Sequence, residues 1–241
     1  MTRHVIVALV VALFGLVFVR LVGGYAELSA LRPLAAQYVT QAPLELGTPN
    51  IVTGILITFR GFDTLGEVAV LFMVAASIGL LLKKDEPNAA SEAAAAGIGE
   101  HTADDAPLRE PSEIVRTGTD VLLPLIFVFG AYVIVNGHLS AGGGFQGGAI
   151  VASGAMLMLL ARPGSRLSVA LLSVIESFAG VLYVSLGLVG LVFAAGFLDP
   201  RFLPKGEFGA FVSAGAIPLI SALLGIKVGA ELSVIIDRFR G

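Results

Sequence analysis

Few residues in this chain can do chemistry, and most of them sit where charge is expensive. Glu176 stands alone in an uncharged run from Leu167 to Phe197, and Lys227 lies near the end of another from Ala210 to Val228. Arg60 and Asp63 interrupt apolar sequence at Arg60-Gly-Phe-Asp-Thr, and Glu67 follows just beyond it. His138 and Gln146 lie in a glycine-rich stretch, Asn136 to Gly148, and can bond a proton, ion or partner with more than a hydroxyl. Ionisable groups among apolar residues long enough to cross a bilayer are costly, and they mark proton or ion stations by default. A lone carboxylate such as Glu176 must take up a proton or find a cation. The set suits binding and passing protons or monovalent cations.

Other chemistries are excluded by composition. There is no cysteine, so disulfides, thiolate metal sites and cysteine-ligated clusters are ruled out, and three scattered histidines give no metal-ligand spacing. No metal and no cofactor is expected. A net charge of -3 provides no basic surface for nucleic acid. Gly142, Gly144 and Gly147 satisfy G-x-G-x-x-G, but a membrane run precedes them and no acidic residue follows about 20 positions on, so a dinucleotide site fails on context.

The elements that must position these groups are membrane helices. With 56% apolar and only 14% charged residues, the chain reads as an all-α, polytopic helical membrane protein of about six transmembrane helices, two plus four. The first runs from Val5 through Val22, with Arg20 snorkelling. Three prolines, Pro33, Pro43 and Pro49, predict an external or surface segment without a long helix. Leu65 to Leu82 forms the second span. If Arg60, Asp63 and Glu67 share a helix face, they make one salt-bridged stripe, unless Gly61 breaks the helix. Four further spans lie in Val121–Val135, Ala149–Ala161, Leu167–Phe197 and Ala210–Val228. Around Glu176, Ser173, Gly180 and Tyr183 complete a narrow face suited to another helix. Pro218 is expected to kink the last helix, Lys227 to snorkel, and Glu231 to pair with it across one turn.

The division into modules follows composition. Residues 1–84 form a two-helix membrane module, residues 85–113 an acidic, alanine- and proline-rich flexible linker, and residues 114–241 a four-helix membrane domain. Between the third and fourth spans, Gly142, Gly143, Gly144, Gly147 and Gly148 with Gln146 form a tight helix-packing hairpin. Small residues recur four apart at Gly144 and Gly148, Ala210 and Ala214, and Gly225 and Gly229, a spacing for close helix contacts. With both ends inside, Arg3, Lys83, Lys84, Arg109, Arg116, Arg162, Arg166, Arg238 and Arg240 face the cytoplasm. Arg20, Arg32, Arg201 and Lys205 then face outward. This predicts a multi-pass protein of the cell membrane with cytoplasmic termini.

The stretch NGHLSAGGGFQGGAI resembles the signature of the B subunit of Mrp-type multisubunit sodium/proton antiporters, and of its counterpart, the F subunit, in energy-converting membrane-bound hydrogenases. The resemblance covers roughly Glu113 to Gly241, with Ala141 where the family usually has proline. ILITFRGFDTLGEVAVLF, Ile55 to Phe72, is similar to the short E subunit of those hydrogenases, which corresponds to the C-terminal end of the large A subunit in Mrp antiporters. The resemblance implies a fusion of two normally adjacent pieces, with no redox or catalytic centre of its own. Expected partners are the bilayer, monovalent cations and protons, and the large proton-pumping and small membrane subunits of such a complex. Arg60, Asp63, Glu67, His138 and Gln146 fall within the matched motifs, whereas Glu176 and Lys227 rest on membrane cost. Alternative readings are a membrane-arm subunit of an ion-pumping redox complex, and a scaffold whose charges only dock neighbours.

Overall fold

The computed structural model describes residues 2–26, 30–83 and 111–240. Almost all of the expected linker, residues 85–113, lies outside the described residues. The chain divides into two compact units, residues 1–37 and 38–241. The first contains α1 (Thr2–Gly23), whose described side chains are exposed on every face. A helix apolar all round, with nothing of its own unit to bury against, suits a lipid or protein-lined surrounding.

Among the described residues, six helices are long and apolar enough to cross a membrane. Besides α1 they are α4 (Gly61–Lys83), α5 (Glu113–Val135), α6 (Gly144–Ala161), α7 (Val169–Phe193) and α8 (Ile217–Arg240). The expectation of an all-helical, six-span membrane protein therefore holds. Within the second unit α8 is the hub: α4, α5, α6 and α7 all pack against it, and it is the most buried span.

Glycine explains why α6 can lie so close to α8. A Cβ on Gly144 would run into the carbonyl of Ser221 and stand 2.9 Å from the Gly225 nitrogen; one on Gly148 would stand 2.7 Å from the Gly225 carbonyl. The Gly144/Gly148 and Gly225/Gly229 pairs thus face each other, backbone against backbone, and attraction comes from close van der Waals contact. Ala210 and Ala214 are not such a pair, because α8 begins later than its apolar run. Residues 203–216 are loop, with Ala214 at φ +63° and Gly215 at +57°.

That late start also corrects the reading of Pro218. It occupies the first turn of α8, where a backbone N–H has no helical partner, and so causes no kink. The Ala214 carbonyl accepts from the Ile217 N–H at 3.1 Å.

Two departures lie before α4. Despite its prolines, the chain forms α2 (Pro33–Leu46), with Pro33 at the helix start and Pro43 in the last turn. α3 (Ile51–Gly54) then widens into a π-helical turn, Ile55–Phe59. Arg60, at φ -123°, breaks the helix before α4 restarts at Gly61.

Candidate functional site

α7 and α8 converge on a buried ion-pair cluster. Lys227 Nζ donates to Glu176 Oε1 at 2.8 Å and to Glu231 Oε2 at 3.1 Å. Lys227 and Glu231 lie one turn apart on α8, so the ammonium spans the two helices. It stands 5.9 Å from the centroid of the Phe72 ring on α4, which supplies a cation–π contact. The lysine and Glu176 side chains are 7% and 12% exposed, and that of Glu231 is fully buried. Lys227 is the tenth residue beyond Ile217, roughly 15 Å along the helix at the usual rise. The expectation that it snorkels is wrong: pairing with two carboxylates holds it inside. An unpaired charge at the centre of a span costs on the order of 3 kcal/mol even on insertion scales, which is why these three groups collect. A groove of about 500 Å³, bordered by Leu65, Val68, Phe72, Gly180 and Val184, reaches Glu176 and Lys227.

A second cleft, of about 410 Å³, lies about one turn nearer the N-terminal ends of α4 and α8. Glu67, Thr64, Ser221, Gln146 and Gly142 to Gly144 line it. Ser221 is fully buried, and its hydroxyl has no hydrogen-bond partner among the described residues. The expected stripe of Arg60, Asp63 and Glu67 is only partly formed. Arg60 and Asp63 pair, both about half exposed, at the break before α4, whereas Glu67 turns to the cleft. Arg60, Asp63 and His138 border neither cavity.

His138 belongs to the clamp that holds the glycine hairpin. Its backbone carbonyl accepts from Thr48 Oγ1 at 2.6 Å and from the Asn50 N–H at 3.1 Å. Asn50 Nδ2 donates to the carbonyls of Gly137 and Ser140 at 2.7 and 2.6 Å, and Thr53 Oγ1 to Gly137 at 2.8 Å. The buried imidazole has Nε2 at 3.1 Å from the Phe211 carbonyl, a contact that requires the proton on that nitrogen. Sequence reasoning missed Thr48, Asn50 and Thr53. The usable signal was Asn50 as a helix N-cap before Ile51; its Oδ1 accepts from the Thr53 N–H at 3.3 Å.

A third cluster fixes the α7–α8 loop. Burial pushes the Asp199 carboxyl up, but hydrogen bonds from the Arg201 side chain, the Arg201 N–H and the Ala195 N–H outweigh it and hold the carboxyl below its ordinary value. The hydrogen bonds to Asp199 in turn raise Arg201, which also reaches Glu45 of α2 at 3.5 Å. Lys205 Nζ donates to the Leu44 carbonyl at 3.0 Å.

Residues 114–234 match the family described as a domain related to the MnhB subunit of Na+/H+ antiporter, and residues 3–97 match the family of the MBH E subunit. A chain of the membrane-bound sulfane sulfur reductase, an archaeal respiratory membrane complex, is 33% identical. That alignment covers 99% of this chain and 98% of that one, with a TM-score of 0.79. A Rhizobium meliloti protein named as the probable A/B subunit of a K(+)/H(+) antiporter is 32% identical over 136 residues, 53% of this chain but 14% of that protein. The Mrp complex from Dietzia sp. DQ12-45-1b shares the fold at a TM-score of 0.78 and 23% identity, over 100% of this chain and 26% of the matched one. The MnhB match spans half of the sequence and takes in the glycine hairpin, Glu176, Lys227 and Glu231, so the chain belongs to the family of domains related to the MnhB subunit of Na+/H+ antiporters.

Proposed function

We propose that this chain is a membrane subunit of a multisubunit antiporter that exchanges a monovalent cation for protons. In this reading residues 1–84 and 114–241 are its two membrane modules, joined by residues 85–113, and both termini face the cytoplasm. The observation that carries the reading is the Glu176–Lys227–Glu231 cluster, three ionisable groups kept inside the bundle where Leu or Ala would pack at less cost. Glu67 on the outer cleft and the triad on the inner groove are the stations this chain contributes, and both cavities border α4 and α8. Arg60, Asp63 and His138 act in holding the outer end together. Large proton-pumping subunits and small membrane subunits supply the rest of the path. The chain has no catalytic or redox centre of its own.

A second reading rests on the end-to-end match with a chain of the sulfane sulfur reductase complex: the same subunit, serving the membrane arm of a redox-driven ion pump. Purification of the native complex in mild detergent separates the two, since iron–sulfur or other redox proteins co-purify only in the second. Cation-dependent proton release from sealed vesicles tests the first. Full transport per assembled complex in Glu67→Gln, Glu176→Gln and Lys227→Gln would remove these residues from the path.

A further inference from the structure

The triad places one ammonium between two carboxylates. Of the three protons on Lys227 Nζ, one is directed to Glu176 Oε1 at 2.8 Å and one to Glu231 Oε2 at 3.1 Å. With every group ionised, the cluster would carry an excess negative charge in the interior of a membrane bundle. Glu231 is the group least able to bear it: the residue is fully buried, and its Oε1 has no hydrogen-bond donor among the described residues. Burial disfavours the ionised form of a carboxyl, and an oxygen without a donor disfavours it further.

Among the described residues no neighbouring group cancels that charge. α6, whose glycines pack against α8, has no titratable side chain between Gly144 and Ala161. From α4 come the Phe72 ring and, farther out, Glu67 on the other cleft. α7 adds Tyr183, seven residues beyond Glu176, which is an acid itself. On α5, Asp120 is paired with Arg162 at 2.5 Å. On α8, Arg238 is two turns from Glu231 and donates to the Ala75 carbonyl at 2.8 Å, while Asp237 and Arg240 face each other at 3.9 Å.

We infer that Glu176, Lys227 and Glu231 form a site for one exchangeable proton, with Glu231 the carboxyl that holds it. The inference deepens the proposed role of the triad as a proton station and rests on that reading for its use in transport. Exchange with the groove runs through Glu176. Lys227 gives one of its protons to ionised Glu176 and takes the proton of Glu231, so the ammonium is regenerated. The charge has then moved from one carboxylate to the other, and the proton has advanced to the carboxyl that lines the groove.

Infrared difference spectroscopy on the full-length chain in its native complex, with labelled glutamate, reads this directly. The wild type at neutral pH should show the carbonyl band of one protonated glutamic acid that is lost in Glu231→Gln and kept in Glu67→Gln. Absence of that band in the wild type, or its persistence in Glu231→Gln, overturns the assignment. Should Glu231→Gln fail to assemble, Glu231→Asp must replace the glutamic acid band with an aspartic acid one. Lys227→Gln must add a second protonated glutamic acid, since Glu176 loses its cation; an unchanged spectrum in either overturns it. Loss of the band in Glu231→Gln with undiminished cation-dependent proton release supports the proton site and defeats its place in transport.

Discussion

At the scale of single residues, burial and pairing separate groups that look alike in the sequence. Asp63 and Glu176 are both acidic residues in apolar surroundings, yet Asp63 is half exposed beside Arg60 and Glu176 is nearly enclosed with Lys227. Asp63→Asn is therefore expected to change stability by about 0–1 kcal/mol, the range of an exposed ion pair, measured by thermal denaturation in detergent. Lys227→Met removes the buried cation that pairs with Glu176 and should cost about 3–5 kcal/mol by the same measurement. Glu176→Gln leaves Lys227 its partner on the next turn. It should preserve assembly while lowering transport per complex by roughly tenfold, equivalent to about 1.4 kcal/mol on the barrier.

Elements depend on where glycine and the loop clusters hold the backbone. Gly143 and Gly144 are neighbours with different roles. A Cβ on Gly143, at φ +148°, meets only the movable Gln146 Oε1 at 3.1 Å and the Thr53 Oγ1 at 3.9 Å, whereas one on Gly144 strikes the backbone of α8. Gly144→Val should accordingly separate α6 from α8 and reduce folded chain, as read by protease resistance. Gly143→Ala should cost only the roughly 1–3 kcal/mol of holding a side chain in a positive-φ, extended region that is essentially glycine-only. The Asp199 cluster adds a pH dependence to the α7–α8 loop. Because its folded-state carboxyl lies below the unfolded value, its stabilisation is full above the unfolded value and is lost as pH falls through the folded one. Asp199→Asn should thus flatten the acid limb of the stability curve, and lower stability at neutral pH by about 1.5–3 kcal/mol, the worth of hydrogen bonds to a charged group.

For the whole molecule, the bias of lysine and arginine between loops sets an expected orientation. The chain has no cysteine, so single thiols introduced at Ala141 and Arg166 report without background. They should label from opposite faces of a sealed membrane, with Ala141 outside. Labelling of both from one side would refute the six-span topology. The hairpin of Ala141 and the α7–α8 loop meet through His138 and Phe211, so both lie at one end of the bundle.

The number and type of the membrane helices were legible in the sequence, because length and hydropathy are local and each span satisfies its own backbone. The Gly144/Gly148 and Gly225/Gly229 contacts were legible too, since spacing alone puts small residues on one helix face. Local pattern misled where a run was apolar without being helical: Ala210 to Ala216 reads as span, yet left-handed Ala214 and Gly215 keep it in the loop. The partners of the charges lay beyond local pattern altogether. Glu176 and Lys227 are 51 residues apart, and Thr48 and His138 are 90 apart. Only the packing of α7 on α8, and of the 48–53 segment on the hairpin, decides that these groups meet, because an ion pair between elements depends on which faces they turn to each other. Sequence by itself determined that this protein pays to keep charge among apolar helices; tertiary structure decided that the charge is shared by three residues.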